Sequence, residues 1–245
     1  MFEEGVDVIF KAFQGEPFSH KGRFYTIPPE APYRGYTLKD ITLVPAPDRL
    51  PVECWQPIVS ATDRALDFML DHDIKGFVGG GATSGGASEE VARRWQHKLA
   101  ERGRETELGG DLIFGFSFLI ADSVEEAKRL GQPILEEYQK MFAPLGFAGA
   151  VSDDQLARLA DPSQAATAGM MTIDDAVEAG SWVVGPAQRM IDVLAEVQET
   201  YPGLEEVMVA QPVGAQPATI FEQMERFAAE VMPAFSSASR EPASV

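Results

Sequence analysis

Apolar and polar positions follow two different periods along this chain, and the two periods alternate several times. Residues 52–59 form a mostly apolar run that opens after a proline and closes on small polar residues, which predicts a strand buried on both faces. The apolar positions of the next segment recur at helical spacing: Ala65, Leu66, Met69 and Leu70. Residues 74–78 then predict a second strand. Strand followed by helix is typical of a parallel sheet with helices packed outside it.

The same alternation continues through most of the chain. Further strands are predicted at residues 111–120 and 205–213, and further helices at 88–103, 123–141, 186–197 and 217–231. The apolar stripe of the last helix is predicted to pack in the core and consists of Phe221, Met224, Phe227 and Val231. The count is four strands in an α/β arrangement.

Three segments interrupt this rhythm. The N-terminal segment predicts a short amphipathic helix up to Gly15, a β-hairpin over residues 18–27 with Lys21-Gly22 near its turn, and proline-punctuated loops at 28–36 and 45–51. Residues 144–180 predict an insertion over the carboxyl edge of the sheet, with short helical pieces at 153–160 and 172–179. Residues 236–245 predict a disordered tail. We expect one domain over residues 1–235.

The turn after the first strand is the first candidate for chemistry. It reads Ser60-Ala61-Thr62-Asp63, and Ser60 and Asp63 fit a capping box for the following helix. A helix N-terminus flanked by two hydroxyls, at the carboxyl end of a parallel strand, is also a place where an anion such as a phosphate binds. Capping and anion binding use the same N–H groups and are not exclusive.

The second candidate is the glycine run that follows the second strand. Gly79, Gly80 and Gly81 reach the same sheet edge as the turn, where small residues let a planar ligand approach the backbone. A flexible loop is an equal interpretation, because the run fits neither a Rossmann nor a Walker pattern. In the preceding strand, either Trp55 or Gln56 must point away from the helices, because neighbouring strand residues face opposite sides.

Composition excludes several classes of function. The formal net charge of −18 argues against nucleic acid and anionic membranes as partners. There is no apolar run of about 18 residues and no signal sequence, so we expect a cytoplasmic protein. Cys54 is the only cysteine, lies in an apolar strand and is expected to be inert. The histidines are His20, His72 and His97; they are far apart, lack zinc-ligand spacing and are expected on the surface or in loops, so no metal is predicted.

Four groups of residues share their order and spacing with one known family. They are residues 2–9 with 18–25, residues 51–81, residues 184–186 and residues 226–233. In these segments the chain resembles the bacterial luciferase-like family of flavin-dependent monooxygenases. The resemblance implies an α/β fold of the TIM-type (β/α)8 barrel class. It also implies that this chain carries only the last four βα units, preceded by the helix that follows the fourth strand.

The resemblance implies a function and a cofactor. A member of this family uses reduced FMN and O2 to oxidise a small organic substrate such as an aldehyde, alkane or terpene, with reduced flavin supplied by a separate reductase. The implied cofactor site consists of Gln56, Ser60, Ala61, Thr62, Gly79, Gly80 and Gly81. Ser60 and Thr62 would contact the flavin phosphate, with the backbone of Ala61 close by, and Gln56 would bond to the flavin ring. Catalytic residues are expected in the first barrel strands and cannot be named here.

Other interpretations remain open at this point. The chain could be a non-catalytic subunit or truncated remnant that needs a partner, or it could use a deazaflavin on the same fold. A sugar- or phosphate-binding barrel fragment is a further alternative. Four open parallel strands expose two edges, which favours a homo- or heterodimer.

Overall fold

The computed structural model describes residues 1–30, 32–59, 61–79, 86–142, 153–164, 171–210 and 213–236. Backbone proximity divides the chain into two compact units, Met1–Cys54 and Trp55–Val245. The proline-rich stretch before Trp55 forms short ladders of its own, whereas the parallel sheet begins at Trp55. The single domain over residues 1–235 stays a prediction.

The first unit contains one helix and two small hairpins. Its elements are α1 (Phe2–Phe13), β1 (His20–Lys21), β2 (Thr26–Ile27), β3 (Pro32–Tyr33) and β4 (Tyr36–Thr37). The antiparallel pair β1–β2 confirms the predicted hairpin. The pair β3–β4 lies where the sequence predicted only a loop. Its turn residues Arg34 and Gly35 both have positive φ angles, 48° and 85°, which suits a two-residue hairpin turn.

The second unit is built on a parallel sheet. Its strands are β5 (Trp55–Pro57), β6 (Lys75–Val78), β7 (Leu112–Ile120), β8 (Trp182–Gly185) and β9 (Glu206–Ala210). The four predicted strands are present, although the first is shorter than residues 52–59. The strand β8 was not predicted; it directly follows the segment assigned to an insertion, and its pairing with β7 identifies it.

The long strand β7 organises this sheet, since it has three parallel partners. It pairs with β6 along Leu112–Phe114, with β9 along Ile113–Ser117 and with β8 along Ser117–Ile120. The five strands have the order β5-β6-β7-β8, and β9 joins the sheet by pairing with β7 off this path.

The helices follow the predicted order. They are α2 (Asp63–Asp71), α3 (Ala87–Glu101), α4 (Val124–Phe142), α5 (Asp153–Ala160), α6 (Ile173–Glu178), α7 (Ala187–Thr200) and α8 (Pro217–Arg226). A π-helical turn (Phe227–Val231) and a 3₁₀ turn (Met232–Ala234) continue α8. The helices α5 and α6 lie in the predicted insertion, of which residues 144–152 and 165–170 are outside the described residues. The predicted tail also lies outside them from residue 237 onward.

The core lies between the sheet and its helices. The rings of Phe114 and Tyr201 pack with centroids 4.6 Å apart, and those of Phe118 and Phe227 are 5.1 Å apart. A second buried cluster joins β7 and β8 to α4 and α6, and includes Leu119, Ala127, Leu135, Ile173 and Trp182. Burial of these side chains supplies the main driving force for folding this unit.

The last helix departs from its predicted packing. Val231 is buried as expected, but Phe221 and Met224 are 65% and 54% exposed, so their assignment to the core was wrong. The residue that faces inward near them is polar, Gln223, which is 3% exposed. Helical spacing identifies a stripe but not which edge of the stripe is covered, and here one edge faces outward.

Across the described ranges, no helix is both long enough and apolar enough to cross a membrane.

Candidate functional site

The candidate site lies where parallel strands end. The strands β5, β6 and β7 run in the same direction, so their carboxyl ends meet at one edge of the sheet. The first leads into the turn before α2, the second into Gly79, and the third into Ala121. Loops at this edge are where enzymes with parallel sheets place their ligands.

Thr62 begins α2 as its N-cap. Its backbone is extended, with φ −72° and ψ 148°, and its hydroxyl oxygen accepts a hydrogen bond from the backbone N–H of Ala65 at 3.4 Å. The predicted capping box of Ser60 and Asp63 was therefore wrong, because Thr62 takes the cap position. Ser60 itself lies outside the described residues. The first turn of α2 directs its N–H groups toward the sheet edge, with Ala61 half-buried beside it.

Charged side chains from α3 surround this first turn. The guanidinium of Arg94 donates a hydrogen bond to the carboxylate of Asp63 at 2.9 Å, and the Lys98 ammonium lies 3.7 Å from the same oxygen. The hydrogen bond from Arg94, together with the charge of Lys98, lowers the pKa of Asp63 below its usual value. The helix N-terminus therefore carries one carboxylate that is balanced by two cations.

The glycine run enters the same edge after β6. Gly79 is exposed, and among the described residues a Cβ atom placed on it would meet only the Phe77 ring, at 3.7 Å. Its described neighbours therefore do not require a glycine there, and a ligand can approach its backbone closely. Gly80 and Gly81, which belong to the same predicted site, lie outside the described residues.

The register assigns Trp55 and Gln56 to opposite faces of the sheet. Gln56 pairs with Gly76, and a Cβ on Gly76 would contact Ile58 and Leu112, so these residues share the face that packs against the helices. Trp55 pairs with Lys75, whose ammonium lies 4.9 Å from the indole centroid on the other face. This placement disfavours the predicted contact between Gln56 and a flavin ring, and Gln56 has no part in the function proposed below.

Two side chains of α8 hold the carboxyl end of β7. The Gln223 amide accepts a hydrogen bond from the backbone N–H of Ile120 at 2.6 Å and donates one to its C=O at 3.0 Å. Arg226 also reaches the Ile120 C=O, at 3.3 Å, and bonds to the carboxylate of Asp122 at 3.2 Å. This arrangement was not predicted from the sequence. The signal for it in the sequence is a glutamine inside the apolar stripe of an amphipathic helix.

The end of β8 joins the same edge. The backbone N–H of Ala121 donates to the C=O of Gly185 at 3.1 Å. Gly185 has φ of 137°, which favours glycine, and Pro186 is the N-cap of α7 rather than a residue of its first turn. This glycine therefore has a structural role in the turn from strand to helix.

The histidines and the cysteine do not form a metal site among the described residues, in which no group of three or more potential ligand side chains occurs. His97 is exposed, and His72 is half-buried beside the Phe68 ring, whose centroid is 4.4 Å away. Contrary to the expectation of a surface position, the His20 side chain is only 11% exposed and bonds to Glu4. Burial raises the pKa of the Cys54 thiol, which agrees with an inert cysteine.

Comparison with known families gives one match over most of the chain. The family model described as luciferase-like monooxygenase matches residues 1–202. No curated protein sequence matches the chain significantly.

Three of the solved structures with a similar fold are monooxygenases by their printed names. The oxygenating constituent of 3,6-diketocamphane monooxygenase from Pseudomonas putida, in complex with FMN, is 18% identical with a TM-score of 0.60; the match covers 94% of this chain and 62% of that one. A monooxygenase from Streptomyces bottropensis is 13% identical with a TM-score of 0.62, and the match covers 96% of this chain and 61% of that one. EDTA monooxygenase from Chelativorans is 14% identical with a TM-score of 0.57, and the match covers 98% of this chain and 59% of that one.

These similarities establish the fold class. The chain has the α/β architecture of a TIM-type barrel in part, since 94–98% of it aligns with about three fifths of each of these structures. At identities below one fifth, this likeness concerns the fold and leaves activity to be argued from the site.

Proposed function

Because the chain belongs to the luciferase-like monooxygenase family, we propose that it binds FMN at the carboxyl edge of β5 and β6 and takes part in flavin-dependent oxygenation. The substrate class is a small, mainly apolar organic molecule such as an aldehyde, alkane or terpene-like compound. Reduced flavin comes from a separate reductase, and the protein works in the cytoplasm. FMN is preferred to a deazaflavin because the relative from Pseudomonas putida contains FMN.

One observation carries the proposal: the first turn of α2 begins at the sheet edge with a threonine cap and cations beside it. Backbone N–H groups of a helix N-terminus, a hydroxyl and a guanidinium are donors that suit a phosphate monoester. This donor set fits the phosphate end of FMN. Thr62 and the backbone from Ala61 to Arg64 would hold the phosphate, with Arg94 supplying positive charge.

The neighbouring strand end suits the ring of the cofactor. The exposed backbone of Gly79 allows a planar group to approach, and the half-buried Phe77 ring lies next to it. When bound, reduced FMN supplies the electron pair that activates O2. The contribution of this chain is to hold the phosphate, orient the ring and keep water from it. Among the described residues of this edge, none is assigned a proton-transfer role.

The test compares FMN with riboflavin, which has the same ring but no phosphate. We expect the fluorescence of FMN to be quenched saturably when FMN is titrated with the purified chain. Riboflavin should bind more weakly. Thr62→Ala should weaken FMN binding by about tenfold, a loss of roughly 1.4 kcal/mol, and leave riboflavin binding unchanged. Thr172→Ala is the matched control, because Thr172 caps α6 in the same way outside the proposed site.

The outcomes separate three possibilities. Equal weakening of FMN and riboflavin binding by Thr62→Ala would contradict the phosphate assignment, because the effect would then come from the fold. Absence of flavin binding by a well-folded chain would contradict the function and favour a non-catalytic role. Tighter binding of a deazaflavin than of FMN would show that the cofactor is a deazaflavin and not FMN.

A further inference from the structure

A groove of about 1110 Å3 opens in the second unit beside α7, β9 and the turns that continue α8. Two methionines that line it, Met224 and Met232, are 54% and 56% exposed. The rest of its lining is mainly apolar and includes Leu194, Val197, Val207, Val209, Phe227 and Val231. An apolar surface of this kind on a folded unit marks a place where a ligand or another protein binds.

The groove is lined in part by a π-helical turn. Residues Phe227–Val231 continue α8 in this form, and Phe227, Ala228 and Val231 line the groove. A π-helical turn is rare and is frequent at functional sites. The exposed methionines have flexible, polarizable side chains that adapt to the shape of a partner. This surface therefore suits an occupant that packs against it with apolar side chains.

The groove is also acidic. Glu205 and Glu206 line it and are exposed, and among the described residues no lysine or arginine lines it. The segment that forms α7, β9 and α8, residues 187–236, has eight carboxylates and two arginines. One of these, Arg226, already pairs with carboxylates of its own neighbourhood. Charge complementarity therefore requires an occupant with positive charge beside its apolar surface.

These features select among occupants. A second copy of this chain would bring the same carboxylates together, and its formal net charge is −18, so repulsion opposes that contact. An anionic membrane surface is repelled for the same reason. The volume of the groove exceeds the range of about 300–1,000 Å3 that is typical of small-molecule pockets. An amphipathic helix that lays its apolar face in the groove suits this extent, and apolar grooves of proteins commonly bind in this way.

We propose that this groove binds a basic amphipathic α-helix of a partner protein. The apolar face of that helix, with anchors at positions i, i+3, i+4 and i+7, packs on Val207, Val209 and Met224. Its lysine or arginine side chains lie beside Glu205 and Glu206. The inference depends neither on the flavin site proposed above nor on the order of the strands.

The first test adds the full chain to fluorescently labelled helical peptides and follows their anisotropy. One set of peptides has leucine, phenylalanine or methionine at the anchor positions and lysine elsewhere. A second set has glutamate in place of lysine, and a third has the composition of the first in scrambled order. We expect the first set to bind saturably and the other two at least about tenfold more weakly, because positive charge and an apolar stripe are both needed.

Two variants locate the apolar contact. Met224→Ser should weaken binding of the lysine peptides by about tenfold, because it removes an apolar side chain from the covered surface. The control is Met141→Ser, since Met141 is 53% exposed on α4 and does not line the groove. Circular dichroism should show that both variants are folded.

Two double variants locate the charge contact. Glu205→Gln with Glu206→Gln should weaken binding of the lysine peptides by about fivefold and reduce its salt dependence. Glu16→Gln with Glu178→Gln is the control, because it removes the same number of charges at exposed positions that do not line the groove. Amide hydrogen exchange in β9 and in the π-helical turn should slow when a lysine peptide binds.

Several outcomes would overturn the proposal. If no lysine peptide binds the folded chain, the groove is not a helix-binding site. If scrambled peptides bind equally, or if each variant and its control weaken binding to the same degree, the peptides are attracted only by the overall charge of the chain. A dimer that is seen by sedimentation equilibrium and that Met224→Ser dissociates would assign the groove to a second copy instead.

Discussion

The side chain of Gln223 pairs with the backbone of Ile120 as a neighbouring strand would, with one hydrogen bond to its N–H and one to its C=O. The two residues are 103 positions apart in the sequence. Ile120 is the last residue of β7, three residues beyond the last one that pairs with β9. The amide thus satisfies the backbone N–H of Ile120 and shares its C=O with the guanidinium of Arg226.

We predict that Gln223→Leu destabilises the chain by about 1–3 kcal/mol, because the buried N–H of Ile120 loses its partner whereas its C=O keeps the hydrogen bond from Arg226. Urea unfolding followed by tryptophan fluorescence measures this loss. Gln188→Leu is the control, since Gln188 is exposed and bonds only to Asp192 among the described contacts. Equal midpoints for the two variants would show that Gln223 is not needed at the end of β7.

The sequence was sufficient for the order of elements but not for this contact. Apolar runs and helical periodicity located four of the five described strands and most helices of the second unit. The role of Gln223 depends on a residue 103 positions away, and the exposure of Phe221 depends on what lies beside α8. Neither property is contained in local spacing. The strand Trp182–Gly185 was missed for a related reason, because only its pairing with β7 distinguishes it from a loop.

A half-buried carboxylate, that of Glu4, organises the first unit. Glu4 on α1 accepts hydrogen bonds from the His20 ring at 3.0 Å and from the backbone N–H groups of Tyr25 and Phe24 at 2.9 and 3.1 Å. The Lys11 ammonium lies 3.3 Å from the other ring nitrogen of His20, and an ammonium can only donate. Nδ1 of His20 therefore accepts from Lys11, and Nε2 donates to Glu4.

These contacts predict a dependence of the first unit on acid pH. Burial by itself raises the pKa of Glu4, but the hydrogen bonds from His20, Tyr25 and Phe24 outweigh it and lower the pKa from 4.5 to about 2. The ionised carboxylate therefore stabilises the folded unit fully above pH 4.5. That contribution is lost as the pH falls from about 4.5 to about 2.

We predict that Glu4→Gln removes this part of the acid sensitivity and makes the first unit less stable at neutral pH. Amide hydrogen exchange at Phe24 and Tyr25 is the measurement, because both N–H groups bond to Glu4. Glu16→Gln is the control on an exposed position of the same unit. The assignment would be contradicted if acidification lowered the protection of these amides, relative to their intrinsic exchange rate at each pH, equally in Glu4→Gln and in the unsubstituted chain.

Gly76 lies in β6 and Gly79 directly follows this strand. We predict that substitution by alanine lowers stability at the first position and not at the second. A Cβ on Gly76 would lie 2.6 Å from methyl groups of both Ile58 and Leu112, so Gly76→Ala should cost about 1–3 kcal/mol through overpacking. At Gly79 the nearest atoms are 3.7 Å away, so Gly79→Ala should change stability by less than about 0.5 kcal/mol.

Flavin affinity is expected to fall more in Gly79→Ala than in Gly76→Ala, the reverse of the order for stability. If the ring of the cofactor approaches Gly79, the added methyl group should weaken FMN and riboflavin binding to the same degree, because both carry the ring. Thermal unfolding and flavin titration on both variants measure the two effects. Unchanged flavin affinity in Gly79→Ala would remove Gly79 from the proposed site.

The candidate site itself stays a prediction, whereas the strand ends beside it are described. Thr62 and Gly79 follow β5 and β6, whose carboxyl ends meet at one edge because the two strands are parallel. The cap residue was assigned to Ser60 instead of Thr62, since both have a hydroxyl and local sequence cannot decide where α2 begins. The cations of α3 were not anticipated, because Arg94 is 31 positions from its partner Asp63.

That last pair gives the sharpest prediction about the phosphate. Replacing Arg94 by methionine removes a cation and leaves the Asp63 carboxylate beside the first turn of α2 with Lys98 as its remaining partner there. FMN binding should weaken about two- to fivefold, the effect of an exposed charge near a helix terminus, while riboflavin binding stays constant. Higher salt should reduce the difference in FMN affinity between Arg94→Met and the unsubstituted chain. Arg93→Met is the control, since Arg93 pairs with Glu89 on the same helix.

The double variant Arg94→Met with Asp63→Asn completes the argument. If Arg94 acts by neutralising Asp63, removing both charges should restore FMN affinity close to that of the unsubstituted chain. If Arg94 instead contacts the phosphate directly, the double variant should bind FMN as weakly as Arg94→Met alone. A loss of affinity in Arg94→Met that is equal for FMN and riboflavin would contradict both, and would mean that the phosphate does not lie at this turn.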